Sequence, residues 1–132
     1  MEGVPFRLDS GSGVPFYRQV IDQVLLAVAD GRLRPGQRLP TVRQLAVDLS
    51  VNLNTIARAY REMEIRGIVE TQQGTGTFVA NRKAEKKTAE RRKALERLVD
   101  QALSGAAAQG FAIEELAEAL FDRAEEAGRR SS

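Results

Sequence analysis

Apolar residues in the first half of the chain recur at the spacing of amphipathic helices. The first segment begins after Pro15 and places an apolar side chain at every fourth residue, at Phe16, Val20, Val24 and Val28. This spacing, with a proline in the first turn, predicts a helix over residues 15–29. Gly31 then ends that helix and opens a turn-rich connector up to Gly36.

Two shorter stripes predict two more helices, each preceded by a capping residue. Thr41 and Gln44 have the spacing of a capping box and precede a helix over 42–49. Asn52 is a favourable N-cap for a third helix over 53–66. The third stripe consists of Ile56, Tyr60 and Met63. Because only Ser50 and Val51 separate the second helix from that cap, the two helices are joined by a tight turn.

The segment after Gly67 has the pattern of a hairpin. Two β-prone runs, 68–71 and 77–80, flank a glycine-bearing loop over 72–76. The order helix, helix, tight turn, helix, hairpin predicts a winged helix-turn-helix over residues 14–81. The residues before it, 1–13, are rich in glycine and are expected to form a loosely held arm.

Beyond Asn81 the composition shifts to Ala, Lys, Arg and Glu, which indicates a boundary. Helical spacing predicts two helices over 84–104 and 112–127, with a turn between Gly105 and Gly110. Ala112 stands where Ser or Thr would normally cap, so the last helix is expected to fray at its start.

Two helices this short cannot cover their own apolar stripes, so residues 82–132 are expected to form a two-helix dimerisation tail. The predicted dimerisation residues are Leu95, Leu98, Val99, Ala102, Ile113, Leu116, Leu120 and Phe121. The predicted fold is therefore mainly α, with a small β-hairpin wing and a C-terminal helical tail.

Composition excludes several classes of function. The chain has no cysteine and no histidine, which removes disulfides, thiolate metal sites and the commonest general base. We therefore expect no enzyme, no metal and no cofactor. The longest apolar run, Val24 to Ala29, is far too short to span a membrane, and the first residues lack a basic signal start. A cytoplasmic protein without a membrane partner is expected.

The third predicted helix carries candidate base-reading side chains. Asn54, Arg58 and Arg61 fall at i, i+4 and i+7, opposite the apolar stripe, with Thr55 beside them. Arginine can bond guanine with two hydrogen bonds, and asparagine can do the same with adenine. An ordinary solvated face would show the same pattern. The surrounding order of elements favours contact with double-stranded DNA.

The remaining candidates lie at the start of the second helix and in the hairpin. Arg43 is placed to bind a DNA phosphate, although a solvated arginine would look the same. The loop glycines would allow close approach to the sugar-phosphate backbone, whereas a plain hairpin turn is the alternative. A nucleotide-covering glycine loop is rejected because a third glycine and a following lysine are absent. The predicted DNA-binding set is Arg43, Asn52, Asn54, Thr55, Arg58, Arg61, Gln73, Gly74, Thr75 and Gly76.

Four segments of the chain resemble the DNA-binding domain of GntR-family regulators. They are PFYRQV at 15–20, GRLRPGQRLPTVRQLA at 31–46, VNLNTIARAY at 51–60 and GTGTFV at 74–79. The short two-helix tail resembles the YtrA subfamily, which implies a dimeric repressor. The resemblance implies DNA roles at the positions of Arg43, Asn54, Thr55, Arg58 and Gly74. Leu53 stands where proline or a polar residue is common, so base preference is not carried over.

The sequence alone is compatible with three classes of function. The first is a homodimeric regulator that occupies a palindromic operator. The second is a DNA-architectural protein with little sequence preference, which the net charge of only +2 disfavours. The third is an enzyme, for which no constellation of carboxylates or serine with lysine is found. The tail has little room for a usual effector pocket of roughly 300 Å³, so a small-molecule effector stays an open question.

Overall fold

The computed structural model describes residues 6–81 and 88–131, and its elements follow the predicted order. The helices and strands are α1 (Phe16–Ala29), α2 (Val42–Leu49), α3 (Leu53–Ile65), β1 (Val69–Gln72), β2 (Gly76–Val79), α4 (Thr88–Ala108) and α5 (Ile113–Ser131). They belong to two compact units, one over 6–81 and one over 88–130. The first five residues of the predicted arm, and the predicted start of the fourth helix at residue 84, lie outside the described residues.

Local side-chain caps begin α2 and α3, as the sequence predicted. Thr41 Oγ1 accepts the Gln44 N–H at 3.0 Å, and Gln44 Oε1 accepts the Thr41 N–H at 2.9 Å. Asn52 Oδ1 accepts the N–H of Asn54 at 2.7 Å. Each bond satisfies a backbone donor that has no partner inside its helix, so both helices begin at defined residues.

The turn between α2 and α3 depends on a left-handed residue. Ser50 has φ of 55° and is the one non-glycine residue with positive φ that the described ranges contain. Its N–H donates to the carbonyl of Val47, and the next N–H, of Val51, donates to the carbonyl of Ala46, both at 3.1 Å. This is the Schellman arrangement, which satisfies the last carbonyls of a helix and reverses the chain.

Helix α3 lies at the centre of the first unit. Ile56, Ala59 and Met63 are completely buried on its inner face. The side chains that cover them come from α1, α2, the connector and the hairpin, and include Val20, Val24, Leu33, Leu45, Val69 and Val79. Full burial of such side chains stabilises the fold by about 1.5 to 3 kcal/mol each. The core therefore fixes which face of α3 is left outside.

The hairpin pairs β1 with β2 in an antiparallel register that runs from Val69 opposite Val79 to Gln72 opposite Gly76. Each strand is displaced by one residue from its predicted range, so the loop contains only Gln73, Gly74 and Thr75. The reason is that Thr75 N–H bonds the carbonyl of Gln72 at 2.9 Å, which closes the turn inside the predicted loop.

A third backbone segment adds to the hairpin, which the sequence did not predict. Gly36 N–H bonds the carbonyl of Val79, Val79 N–H bonds that of Gln37, and Leu39 N–H bonds that of Thr77, all at 2.8 Å. Residues 36–39 thus run along the free edge of β2, with Leu39 buried and Arg38 exposed. The segment leads directly into α2, so wing and helix are joined through these bonds.

The described part of the N-terminal arm is not loosely held, and that prediction is wrong. The side-chain carbonyl of Gln23 accepts the N–H of Arg7 at 2.8 Å, and its amide N–H₂ donates to the carbonyl of Arg7. Gln19 bonds both the N–H and the carbonyl of Asp9, at 2.8 and 2.9 Å. Phe6 and Leu8 pack against the core between these contacts. Two glutamines one helical turn apart thus hold an extended segment across α1.

Helix α4 continues through Gly105 to Ala108, four residues beyond its predicted end. The turn occurs at Gly110, where φ is 83°. Gly110 N–H bonds the carbonyl of Ala107 and Phe111 N–H bonds that of Ala106, a second Schellman arrangement. Glu115 Oε2 accepts the Ala112 N–H at 2.8 Å, which is the glutamate half of a capping box at the start of α5. This bond counters the fraying that Ala112 predicted.

The Tyr60 hydroxyl donates to the carbonyl of Pro40 at 2.5 Å and ties α3 to the residue before the α2 cap. Burial raises the pKa of this phenol, so it stays a protonated donor at neutral pH. Tyr60→Phe should lower the free energy of unfolding by about 1 kcal/mol, because the carbonyl loses its partner. Urea denaturation followed by circular dichroism measures this change.

The matched control is Tyr17→Phe, since no hydrogen bond is assigned to the Tyr17 hydroxyl within the described ranges. That variant should stay within about 0.5 kcal/mol of the parent chain. Equal stability of Tyr60→Phe and Tyr17→Phe would show that the bond to Pro40 contributes nothing.

Candidate nucleic-acid interface and apolar tail surface

Helix α3 exposes the polar side chains predicted to face DNA. Successive helical residues are about 100° apart, so the buried stripe of Ile56, Ala59 and Met63 leaves Asn54, Arg58 and Arg61 on the opposite side. All three are exposed, and Thr55, at one edge, is half-buried. The predicted exposure of these side chains is therefore confirmed.

Asn52 lies at the N-terminus of α3 with its side-chain oxygen engaged. That oxygen accepts the backbone N–H of Asn54 at 2.7 Å. A cap bond of this kind fixes the first turn of the helix. Asn52, which was predicted to contact DNA, thus also positions Asn54 through this bond.

The guanidinium of Arg58 lies over the ring of Tyr17, with Cζ 3.9 Å from the ring centroid. This contact was not predicted, because it depends on how α1 packs beside α3. A guanidinium that stacks on an aromatic ring uses its face, and its N–H donors point outward in the plane of the group. Arg58 is therefore held in one place and still has donors for hydrogen bonds.

The start of α2 and the edge of the wing line one open groove with a volume of about 730 Å³. Arg43 lies on its α2 side and is exposed, as predicted for a phosphate contact. Arg38 lies on its wing side and was missed by sequence reasoning. The remaining lining residues are Leu39, Pro40, Thr41, Gln44, Val47 and Asp48. Two guanidiniums and one carboxylate give this groove an excess of positive charge.

The two wing glycines have different surroundings. Gly74, at the loop tip, has φ of 80°, and a Cβ added there would meet no atom within 4 Å. Gly76 has φ of 141°, and its added Cβ would lie only 2.8 Å from Nε of Arg38. Gln73 and Thr75 are exposed beside them. The predicted close approach to DNA therefore fits Gly74, whereas Gly76 makes room for an arginine of the protein itself.

The second unit presents an apolar groove of about 440 Å³ between α4 and α5. Six predicted dimerisation residues line it together with Leu103 and Ala117: Leu98, Val99, Ala102, Ile113, Leu116 and Leu120. Leu95 and Phe121 do not line it but are exposed by 60% and 64%. No residue from 88 to 130 is buried, so this apolar surface needs a partner.

The described residues also bear on metal binding and on membrane spanning. Within them no three acidic side chains gather closely enough to hold a metal ion. Over the same ranges no helix is both long enough and apolar enough to cross a membrane.

Comparison with known proteins places the first unit in a known group. A family model described as bacterial regulatory proteins, gntR family, matches residues 16–79. The HTH-type transcriptional repressor YtrA of Bacillus subtilis (strain 168) is 40% identical over 74 residues, which are 56% of this chain and 57% of that protein. In YtrA and two further curated relatives, the matched segment spans only 57 to 61% of the relative's length.

Two solved structures extend the comparison. YtrA from Sulfolobus acidocaldarius, a GntR-family transcription factor, is 30% identical, with a TM-score of 0.59, over 75% of this chain and 97% of that one. The DNA-binding domain of AraR in complex with operator ORX1 is 31% identical, with a TM-score of 0.51, over 55% of this chain and 93% of that one.

The order of α1 to α3 and the hairpin, with α3 exposing a polar face beside the wing, defines a winged helix-turn-helix protein. The chain belongs to the GntR family of bacterial regulatory proteins. Its resemblance to YtrA-like members is confirmed by relatives of that name from two organisms.

The stacking of Arg58 on Tyr17 predicts a measurable coupling between the two side chains. In a double-mutant cycle, Tyr17→Leu and Arg58→Ala should show a coupling free energy of about 0.5 to 1 kcal/mol in urea denaturation. Tyr17→Phe keeps the ring, so Arg58→Ala should cost the same free energy in that background as in the parent chain, with a coupling near zero. Additive effects of Tyr17→Leu and Arg58→Ala would contradict the contact.

Proposed function

We propose that this protein is a dimeric transcription repressor that binds a palindromic operator through α3 and the wing. The observation that carries the proposal is the exposed face of Asn54, Arg58 and Arg61 on a helix whose opposite side is packed in the core. An exposed face of asparagine and arginine has the chemistry for base edges in the major groove. The alternative, an architectural DNA-binding protein, has no support among the relatives.

The dimensions of α3 suit this role. Its 13 residues give a helix about 20 Å long, and the major groove of B-DNA is about 12 Å wide, enough to admit one helix. Asn54 and Thr55 lie in the first turn, from which recognition helices contact bases. Arg58 lies one turn further, with its hydrogen-bond donors free at the edge of its stacked guanidinium.

Other members of the predicted set would contact the DNA backbone. Arg43 lies in the first turn of α2, where a cation and backbone N–H groups suit a phosphate. Gln73, Gly74 and Thr75 form the exposed tip of the wing, which can approach the sugar-phosphate surface because Gly74 has no side chain. These contacts would position the protein, and α3 would read the sequence.

The apolar groove of the tail supports the dimeric part of the proposal. A two-fold interface would bring the same groove from two chains together and bury the side chains that α4 and α5 leave exposed. Two copies of α3 could then bind half-sites about 34 Å apart, one turn of DNA. Repression would follow from occupancy of the operator in the cytoplasm. The Bacillus subtilis relative YtrA is a transcriptional repressor by name.

Substitutions of two arginines should separate base reading from phosphate binding. Arg58→Ala should weaken binding to a selected operator by about 1 to 3 kcal/mol per half-site and relax preference at one base position. Arg43→Ala should weaken binding to all sequences equally and flatten the dependence on salt. Titration of operator variants and of random-sequence duplexes by fluorescence anisotropy measures both effects.

The control for this pair is Arg66→Ala. Arg66 is an exposed arginine at the C-terminal end of α3, where it lines a groove with two carboxylates, Asp22 and Glu62. Its removal should leave operator affinity nearly unchanged. If all three substitutions reduced affinity uniformly, sequence reading by α3 would be disproved.

The tail surface is tested by a charge inside the groove. Leu120→Glu in the intact chain should convert the dimer into a monomer, because an unpaired charge is not tolerated in a small apolar interface. Operator affinity should fall by about 10²- to 10⁴-fold as the second half-site contact is lost. Glu118→Lys changes charge on the polar side of α5 and should leave the dimer intact. Sedimentation equilibrium of the two variants decides, and a dimeric Leu120→Glu protein would refute the interface.

A further inference from the structure

We propose that Arg38 is a second DNA-phosphate-binding residue, held in place by Gly76, and that it contacts the same stretch of DNA backbone as Arg43. This inference rests on the proposed function and extends it to a residue that neither the sequence patterns nor the family resemblance included. The ligand proposed for the groove between α2 and the wing is a phosphodiester group.

The position of Arg38 is set by backbone pairing on both sides of it. The carbonyl of Gln37 and the N–H of Leu39 both bond β2, each at 2.8 Å. Side chains alternate along an extended segment, and Leu39 is directed into the core with only 2% exposure. Arg38 must therefore project to the opposite, outer face of the wing, where it is exposed.

The guanidinium of Arg38 is further restricted by its contact with Gly76. A Cβ at Gly76 would lie 2.8 Å from Nε of Arg38 and 3.4 Å from both Cζ and Nη2. Only a residue without a side chain leaves that space to the arginine. Gly76 thus leaves the space that the Arg38 guanidinium occupies, and this role is separate from the turn that Gly74 allows.

No carboxylate of the described residues forms an ion pair with Arg38. No ion pair or hydrogen bond is assigned to its guanidinium within residues 6–81 and 88–131, and Asp48 is the single acidic residue that lines its groove. Arg43 lines the same groove from α2. Two positioned guanidiniums and one carboxylate favour an anion, and planar guanidinium groups match the oxygens of phosphate.

The elements on either side of this groove are those proposed to contact DNA. DNA is therefore the anion that the position of the groove favours over a free phosphate ester.

The test uses the full chain and a duplex carrying a site selected from random-sequence DNA by that chain. Removing one phosphate contact lowers the slope of log affinity against log salt by about 0.9 per bound subunit on duplex DNA. Arg38→Gln should produce that decrease on the selected site and on a random-sequence duplex alike. Arg38→Lys keeps the charge and should retain the parent slope. Thermal melts confirm that both variants are folded.

A second arm tests the role of Gly76. Gly76→Ala should reduce affinity in the parent chain, because its Cβ displaces Arg38, and should have a much smaller effect in the Arg38→Gln background. Gly74→Ala is the matched control: it places alanine at positive φ without approaching Arg38. Its effect should add to that of Arg38→Gln with no coupling.

The outcomes separate this inference from the proposed function. A parent chain that binds no DNA would overturn both. If the parent chain binds DNA and Arg38→Gln leaves the salt slope unchanged, only the assignment of Arg38 would be overturned. Additive effects of Gly76→Ala and Arg38→Gln would overturn the role given to Gly76. If inorganic phosphate bound equally to the parent and to Arg38→Gln in calorimetry while the DNA slope fell as expected, the DNA backbone would be supported as the ligand.

Discussion

The complete burial of one side of α3 is the constraint on which the first unit depends. Ile56, Ala59 and Met63 have no exposed surface, and α1, α2 and β1 all contact this helix. Because a helix rotated by one residue turns every side chain by about 100°, any other rotation would place arginine or asparagine in the core. The outward direction of Asn54 and Arg61 is therefore a consequence of packing, and these residues need no contacts of their own to face outward.

The same core makes the helix pair and the wing a single body. Tyr60 bonds Pro40, the residues just before Pro40 pair with β2, and the residue just after it caps α2. The chain thus passes from wing edge to α2 within a few residues, with backbone or side-chain bonds along the way. A groove lined from both elements is a direct result of this short connection, and its two arginines cannot move far apart while these bonds remain.

Local signals were enough to predict the helices but not the contacts between distant segments. Caps at Thr41 and Asn52 lie next to the stripes they begin, so the bounds of α2 were correct and those of α3 agreed within a residue. The pairing of residues 36–39 with β2 was missed because four residues, one of them buried, are too few to show an alternating pattern. The end of α4 was misplaced because Gly105 looked like a stop, although a helix tolerates glycine at about 1 kcal/mol.

The sequence predicted most residues of the candidate site, but it did not predict the contacts that fix its arginine side chains. Arg58 stacks on Tyr17, and Arg38 packs against Gly76, and both partners are distant in sequence or on another element. Ordering a free arginine side chain costs up to about 2 kcal/mol, because its rotamer entropy is lost. A guanidinium that already packs on a neighbour has lost much of this entropy before binding. No comparable support is assigned to Arg61 within the described residues. An arginine held before binding loses less entropy on binding. In the proposed DNA complex, the two supported arginines would therefore contribute more affinity and a more fixed geometry than Arg61.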